Sequence, residues 1–117
     1  MNIIFEDEDI LIVEKDKNCI VHPGIKKEKN TLFHKIKNYF LKNKKFSNFF
    51  IIHRLDKDTT GLIIVAKNIQ VKNTLKNMMK NRKIIKEYDA IVNGKMLFGG
   101  KIQKPILKIF PKKKKLE

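Results

Sequence analysis

The sequence predicts an α/β domain of the α+β kind, a mixed, largely antiparallel sheet carrying two helices. Three observations support this. Short apolar runs rich in β-branched residues, bounded by turn formers, recur along the chain and have strand character. Two longer stretches instead place their apolar residues at helical spacing. The two kinds of segment alternate within 117 residues, enough for one small domain with one core.

Taken in order, residues 2–5 and 10–14 read as two strands of a hairpin whose tip is Glu6-Asp7-Glu8-Asp9. Cys19 to His22 is expected to be a third short strand, stopped by the turn formers Pro23-Gly24. A helix is predicted from Asn30 or Thr31, either of which can cap it. Leu32, Phe33, Ile36, Tyr39 and Phe40 form its apolar face, and the run Lys42 to Lys45 closes it with charges that suit a C-terminal dipole. Phe49 to Ile52 and Leu62 to Ala66 are buried strands. Asn68 caps a second helix with Val71, Leu75, Met78 and Met79 on its buried face and Lys72, Lys76 and Lys80 toward solvent. Lys83 to Val92 returns to strand alternation, Asn93-Gly94 and Gly99-Gly100 are turns, and Ile102 with Pro105 to Phe110 reads as a last short edge strand. Lys112 to Lys115 form a terminal charge run.

A hydrophobic content of 42% is sufficient for a folded core. The single cysteine, Cys19, excludes an internal disulfide and reads as a small buried hydrophobe. No apolar run is long enough to cross a bilayer, and the first residues are acidic where a secretory signal is basic. The expectation is a reduced, cytoplasmic compartment with no membrane partner. Net charge is +15 and uneven: residues 1–24 hold two lysines against six acids, so the excess lies beyond Gly24. A field of that sign attracts polyanions, RNA or DNA above all. His22, His34 and His53 are too dispersed to suggest a metal site.

The segment between the two central strands is the most polar on the chain: His53-Arg54-Leu55-Asp56-Lys57-Asp58-Thr59-Thr60-Gly61. By residue type alone it is either a polar turn, with Asp56 or Asp58 bonding nearby amides, or a rigidly mounted reactive loop. Its order resembles the signature of the RluA-type pseudouridine synthases: His-Arg-Leu-Asp, two variable residues, Thr, Ser or Thr, then Gly. The flanks are similar as well. Phe5 to Val13 with Val21-His22-Pro23-Gly24 looks like the family's opening hairpin, and Lys86-Glu87-Tyr88-Asp89-Ala90-Ile91-Val92-Asn93-Gly94 looks like its second motif. Gly100-Lys101-Ile102 through Pro105-Ile106 looks like the segment that follows. The wording Asp-Lys-Asp-Thr-Thr-Gly is most similar to the D-type branch, which modifies large-subunit ribosomal RNA.

The resemblance implies a part of the pseudouridine synthase catalytic fold and an isomerase that converts uridine to pseudouridine in RNA, large-subunit ribosomal RNA foremost. Asp56 matches the catalytic aspartate, suited to the positive charge that develops at an anomeric carbon when a glycosidic bond breaks. Arg54 matches the arginine that supports RNA around a flipped nucleotide, and Tyr88 the tyrosine that stacks on the base. His53, Thr59, Thr60 and Gly61 are expected to shape the turn that presents Asp56, and Asp58 falls at a variable position. No metal or organic cofactor is implied, and a complete enzyme is expected to be monomeric. Residues 1–117 read as a single partial catalytic domain, without an N-terminal S4-type domain and without the C-terminal half that carries a Gly-Arg-Thr-His-Gln-Ile-Arg-type motif. By itself the chain is expected to be inactive. The alternative reading is a catalytically inactive basic remnant that binds RNA or ribosomes.

Overall fold

A computed structural model describes residues 1–44 and 48–109. The chain divides into two units, Met1–Lys86 and a second that begins at Glu87. The first contains every regular element among the described residues: β1 (Asn2–Glu6), β2 (Ile10–Lys15), α1 (Leu32–Lys42), β3 (Phe50–Ile51), β4 (Gly61–Ala66) and α2 (Ile69–Lys80). The four strands form one antiparallel sheet in the order β1-β2-β4-β3. The mixed, antiparallel α/β architecture with two helices is the one the sequence predicts. No helix among the described residues is long and apolar enough to cross a membrane.

Alternation along β2 decides which side of the sheet is the core. Leu11, Val13 and Lys15 are buried, while Ile10, Ile12 and Glu14 between them are half-buried. Residues paired across an antiparallel ladder share a face. The pairs Leu11–Val65 and Val13–Ile63 therefore point to one side, and Ile12–Ile64 and Glu14–Leu62 to the other. α1 covers the first side with Leu32, Ile36 and Phe40, which join Leu11, Val13, Ile63, Val65, Cys19, Val21 and Leu55 in one buried cluster. Phe49 extends it, with its ring centroid 5.1 Å from Phe33 and 5.5 Å from Phe40.

α2 packs against β4, and its Lys72 ammonium lies 4.8 Å from the centroid of the Phe50 ring. Phe50 pairs with Ala66, which pairs with Ile10, so α2 lies on the side opposite α1. Here the expected buried helix face is only half-realised: Val71, Leu75, Met78 and Met79 are each half-buried and α2 has no fully buried residue. Leu62 and Phe5 stay about half exposed, because one helix does not span this side of the sheet.

Both helices are capped as the sequence predicts. Thr31 Oγ1 accepts the His34 N–H, and Asn68 Oδ1 accepts the Val71 N–H. At the hairpin tip, the Asp7 carboxylate accepts the N–H groups of Ile10 and Asp9, each at 2.8 Å, which lowers its pKa. The α2 C-terminus closes with Lys83 N–H donating to Met78 O and Arg82 N–H to Met79 O, the six-to-one and five-to-two pattern of a Schellman motif. Arg82 takes the left-handed position that glycine usually fills, at φ 54°.

Three strand expectations fail. Cys19 to His22 is not a strand, although Cys19 and Val21 are buried. Its backbone has other partners: Ile20 O and Val21 O accept the first free N–H groups of α1, from Leu32 and Phe33, and Cys19 N–H donates to Lys57 O. Lys83 to Val92 keeps the alternation of a strand but pairs with no described strand, and alternation without a neighbouring ladder cannot hold an extended backbone. The described part of the last expected strand, residues 102–109, is likewise irregular. Lys45, Phe110 and the Lys112 to Lys115 run lie outside the described residues. In the second unit, residues 87–109 contain bends but no helix or strand, with a bend at Asn93-Gly94 where Gly94 has φ +88°. Apolar side chains there, among them Ile91, Phe98 and Ile106, are exposed.

Candidate active site

The predicted reactive loop joins β3 to β4 and is held at both ends by backbone pairing. Ile52 N–H donates to Ile64 O at 3.1 Å, extending the β3–β4 ladder by one residue. Ile52 and Leu55 are buried, whereas Arg54, Asp56, Lys57 and Asp58 are exposed. The apolar residues thus anchor the loop in the core, and the residues on either side of Leu55 face solvent. Thr59 N–H donates to Asp56 O at 3.1 Å, closing the turn Asp56-Lys57-Asp58-Thr59. Thr59 is half-buried and Thr60 exposed.

Gly61 ends the loop at φ +143°, where a Cβ would meet Leu55 Cδ1 at 3.4 Å. The contact with Leu55 is an ordinary van der Waals distance, so it is the positive φ that favours glycine there.

His53 bonds the neighbouring strand β4. Its Nε2 accepts the Ile64 N–H at 3.2 Å, so Nε2 is the unprotonated nitrogen and Nδ1 carries the hydrogen. That Nδ1 is buried with no hydrogen-bond partner among the described residues. Burial first, and then the positive charge of Lys86, hold the His53 pKa below its ordinary value. His22 is held down in the same way, by desolvation and by the neighbouring Arg54 guanidinium. Neither Arg54, Asp56 nor Asp58 enters an ion pair among the described residues. The plain Arg54–carboxylate pair that an unligated loop could have formed is therefore not what holds these residues. Among the described residues no group of three His, Cys, Asp or Glu side chains is placed to hold a metal ion.

The residue that sequence reasoning missed is Lys15. It is fully buried at the inner end of β2, and its ammonium donates to three carbonyls: Cys19 O at 2.6 Å, Asp16 O at 2.9 Å and Lys57 O at 3.0 Å. Three acceptors match the three donors of an ammonium group. Lys57 is the residue after Asp56, so this contact ties the exposed loop to the sheet from below. The signal was present in the strand's parity, since Lys15 follows Leu11 and Val13 at the period-two spacing of buried positions.

One loop therefore brings together His53, Arg54, Asp56, Thr59, Thr60 and Gly61. Tyr88 belongs to the second unit, where it is 59% exposed.

Comparison with known proteins identifies the family. The profile of the RNA pseudouridylate synthase family matches residues 9–117. Ribosomal large subunit pseudouridine synthase D of Buchnera aphidicola subsp. Acyrthosiphon pisum is 44% identical over 108 residues, covering 92% of this chain and 35% of that protein. The protein of the same name from Haemophilus ducreyi is 43% identical over 91% of this chain and 33% of its own length. The one from Escherichia coli is 38% identical over 91% and 32%. The chain thus spans about a third of the length of these relatives. Among solved structures, human RNA pseudouridylate synthase domain containing 4 superposes with a TM-score of 0.58, covering 69% of this chain and 30% of that one at 18% identity, a likeness of fold. With the family profile extending from the β1–β2 turn through the Asp56 loop to the last residue, this chain belongs to the RNA pseudouridylate synthase family.

Proposed function

We propose that this chain carries the catalytic aspartate of an RNA pseudouridine synthase acting on large-subunit ribosomal RNA. The carrying observation is the geometry of the Asp56 loop. A carboxylate stands in solvent on a turn whose neighbours, Leu55 and Lys57, are fixed by core packing and by the buried Lys15 ammonium. The reaction detaches uracil from C1′ of its ribose, turns it and rejoins it through C5. Asp56 is the group that meets the electron-poor sugar, as attacking nucleophile or by assisting loss of the base. A rigid, accessible carboxylate suits this role because the target nucleotide has to leave its stack to reach it.

Arg54, two residues before Asp56 and also exposed, takes the phosphate or the vacated stack of the flipped nucleotide. Tyr88 supplies the aromatic face for the uracil. His53, Thr59, Thr60 and Gly61 shape the turn. The reaction is an isomerisation and draws on no cofactor, and a cytoplasmic setting follows from the ribosomal RNA substrate. The names of the relatives support that substrate, and the +15 charge supports a polyanionic one.

The test uses a complete catalytic domain in which this chain is joined to the remaining segments of one of its relatives. Asp56→Asn is expected to abolish pseudouridine formation in ribosomal RNA, read by mass spectrometry of digested RNA, while RNA binding persists. Undiminished product would refute the role of Asp56. Loss of product with Asp58→Asn and not with Asp56→Asn would move the role to the neighbouring carboxylate.

A further inference from the structure

α2 carries a feature that the catalytic reading does not use. Lys72, Lys76 and Lys80 recur every fourth residue, placing three lysines along one side of the helix at steps of about 6 Å along the axis. Lys76 and Lys80 are exposed, and Lys72 begins the row with its ammonium over the Phe50 ring. Beside them, exposed Asn73, Thr74 and Asn77 offer neutral hydrogen-bonding groups. α2 contains no carboxylate, and none occurs between Asp58 and Glu87. Like charges at this spacing weaken a helix, so the row serves no purpose within α2 itself. Nor does lysine-rich composition produce it automatically. α1 also carries three lysines and no acid, yet Lys35, Lys37 and Lys42 include no pair four residues apart.

The row also points somewhere. The chain leaves β4 at Ala66, enters α2 at Ile69 and packs against β4. The Schellman motif then turns the backbone through Arg82 and Lys83, and Lys86 comes close enough to His53 for its charge to act on that ring. Cations thus continue from the row to the base of the Asp56 loop.

We propose that the Lys72–Lys76–Lys80 row is a sequence-independent rail for the phosphates of the RNA strand whose nucleotide is presented to Asp56. The assignment rests on the pseudouridine synthase reading and extends it to how the strand is held. Ammonium groups act as point charges on phosphates and carry no base information, so the row contributes affinity and direction and leaves the choice of uridine to other contacts.

The test uses the full 117-residue chain and a roughly 20-nucleotide single-stranded RNA of mixed sequence, with affinity followed by fluorescence anisotropy between about 50 and 200 mM salt. The double variant Lys76→Gln with Lys80→Gln is expected to flatten the plot of log affinity against log salt by about 1.4, since each phosphate no longer neutralised by the protein takes about 0.7 from the slope. The fall in affinity over that salt range then becomes about sevenfold smaller than for the parent chain. Lys37→Gln with Lys42→Gln, an equal loss of charge from α1, is expected to leave the slope unchanged. Equal flattening by the two pairs would overturn the proposal, because general charge and not the row would be responsible. An unchanged slope in the α2 pair would also overturn it. So would loss of binding to phosphatidylserine vesicles in the α2 pair without change in RNA binding, which would assign the row to a membrane surface. An Asp56→Asn chain that binds RNA with the parent slope keeps the two proposals separable. Failure of the rail leaves that binding intact, whereas failure of the RNA reading removes binding from every variant.

Discussion

Replacing Lys15 by methionine tests whether the reactive loop is held from beneath. Methionine keeps most of the side chain's length and apolar stem and removes the ammonium. Of its three acceptors, Lys57 O retains the Cys19 N–H, while Asp16 O and Cys19 O lose the donor that satisfied them. The Cys19 bond is buried, and leaving that acceptor unpaired costs about 1–3 kcal/mol, whereas Asp16 is exposed and its carbonyl can turn to water. Against this, the variant no longer holds a desolvated cation, an effective penalty of several kcal/mol per ion that the three bonds had to offset. The net expectation is a destabilisation of about 1 kcal/mol, lowering the unfolding midpoint by about 5 °C in a domain of this size. Thermal unfolding followed by circular dichroism gives the midpoint. Amide hydrogen exchange locates the effect, with the Cys19 and Thr59 N–H groups losing protection more than those of the β2–β4 ladder. A Lys15→Met chain with the parent midpoint and unchanged exchange at Cys19 and Thr59 would show that the ammonium does not hold the loop.

Gly61→Ala is expected to destabilise the fold by about 1–3 kcal/mol, because φ +143° is strained for any residue with a Cβ; an unchanged denaturation midpoint would refute that. Arg82→Gly is expected to stabilise it by about 1 kcal/mol by relieving a left-handed conformation at the α2 C-terminus, and a lower midpoint in urea would contradict the capping argument. The pKa of His53 is lowered from an ordinary 6.5, first by burial and then by Lys86, so the unfolded chain binds its proton more tightly than the folded one. Its contribution to stability is therefore full above 6.5 and is lost as pH falls through the lowered folded value. Urea midpoints measured on acidification should decline, and His53→Gln should flatten that decline. A parent chain that gains stability over the same range would reverse the sign of the argument.

The parts of the fold that depend on local rules were legible in the sequence. Thr31 and Asn68 cap their helices through the side-chain oxygens that make such residues good caps, and Leu32, Ile36 and Phe40 bury where their spacing puts them. The family was legible in the segment from His53 to Gly61 because its order is specific. What the sequence concealed depends on partners distant along the chain. Cys19 to His22 has the composition of a strand, yet its carbonyls serve the α1 N-terminus ten or so residues later. Lys83 to Val92 has the alternation of a strand, yet a ladder needs a neighbour that alternation cannot specify. The burial of Lys15 was not legible because carbonyls from two separate segments, Asp16 with Cys19 and Lys57, become its ligands only when β2 and β4 have paired.

That last dependence bears on the order in which the molecule folds. The β1–β2 hairpin closes over a few residues, whereas the β2–β4 ladder joins Lys15 to Gly61 and Ile10 to Ala66 across some fifty positions, and the chain between them includes α1. Pairings of such separation form slowly, because loop-closure entropy is lost before the contacts compensate for it. Only after that step do the Lys15 ammonium and the Cys19 amide find Lys57 O. The turn presenting Asp56 is thus among the last parts to acquire its native shape, and mutations in it should speed unfolding while leaving the folding rate nearly unchanged.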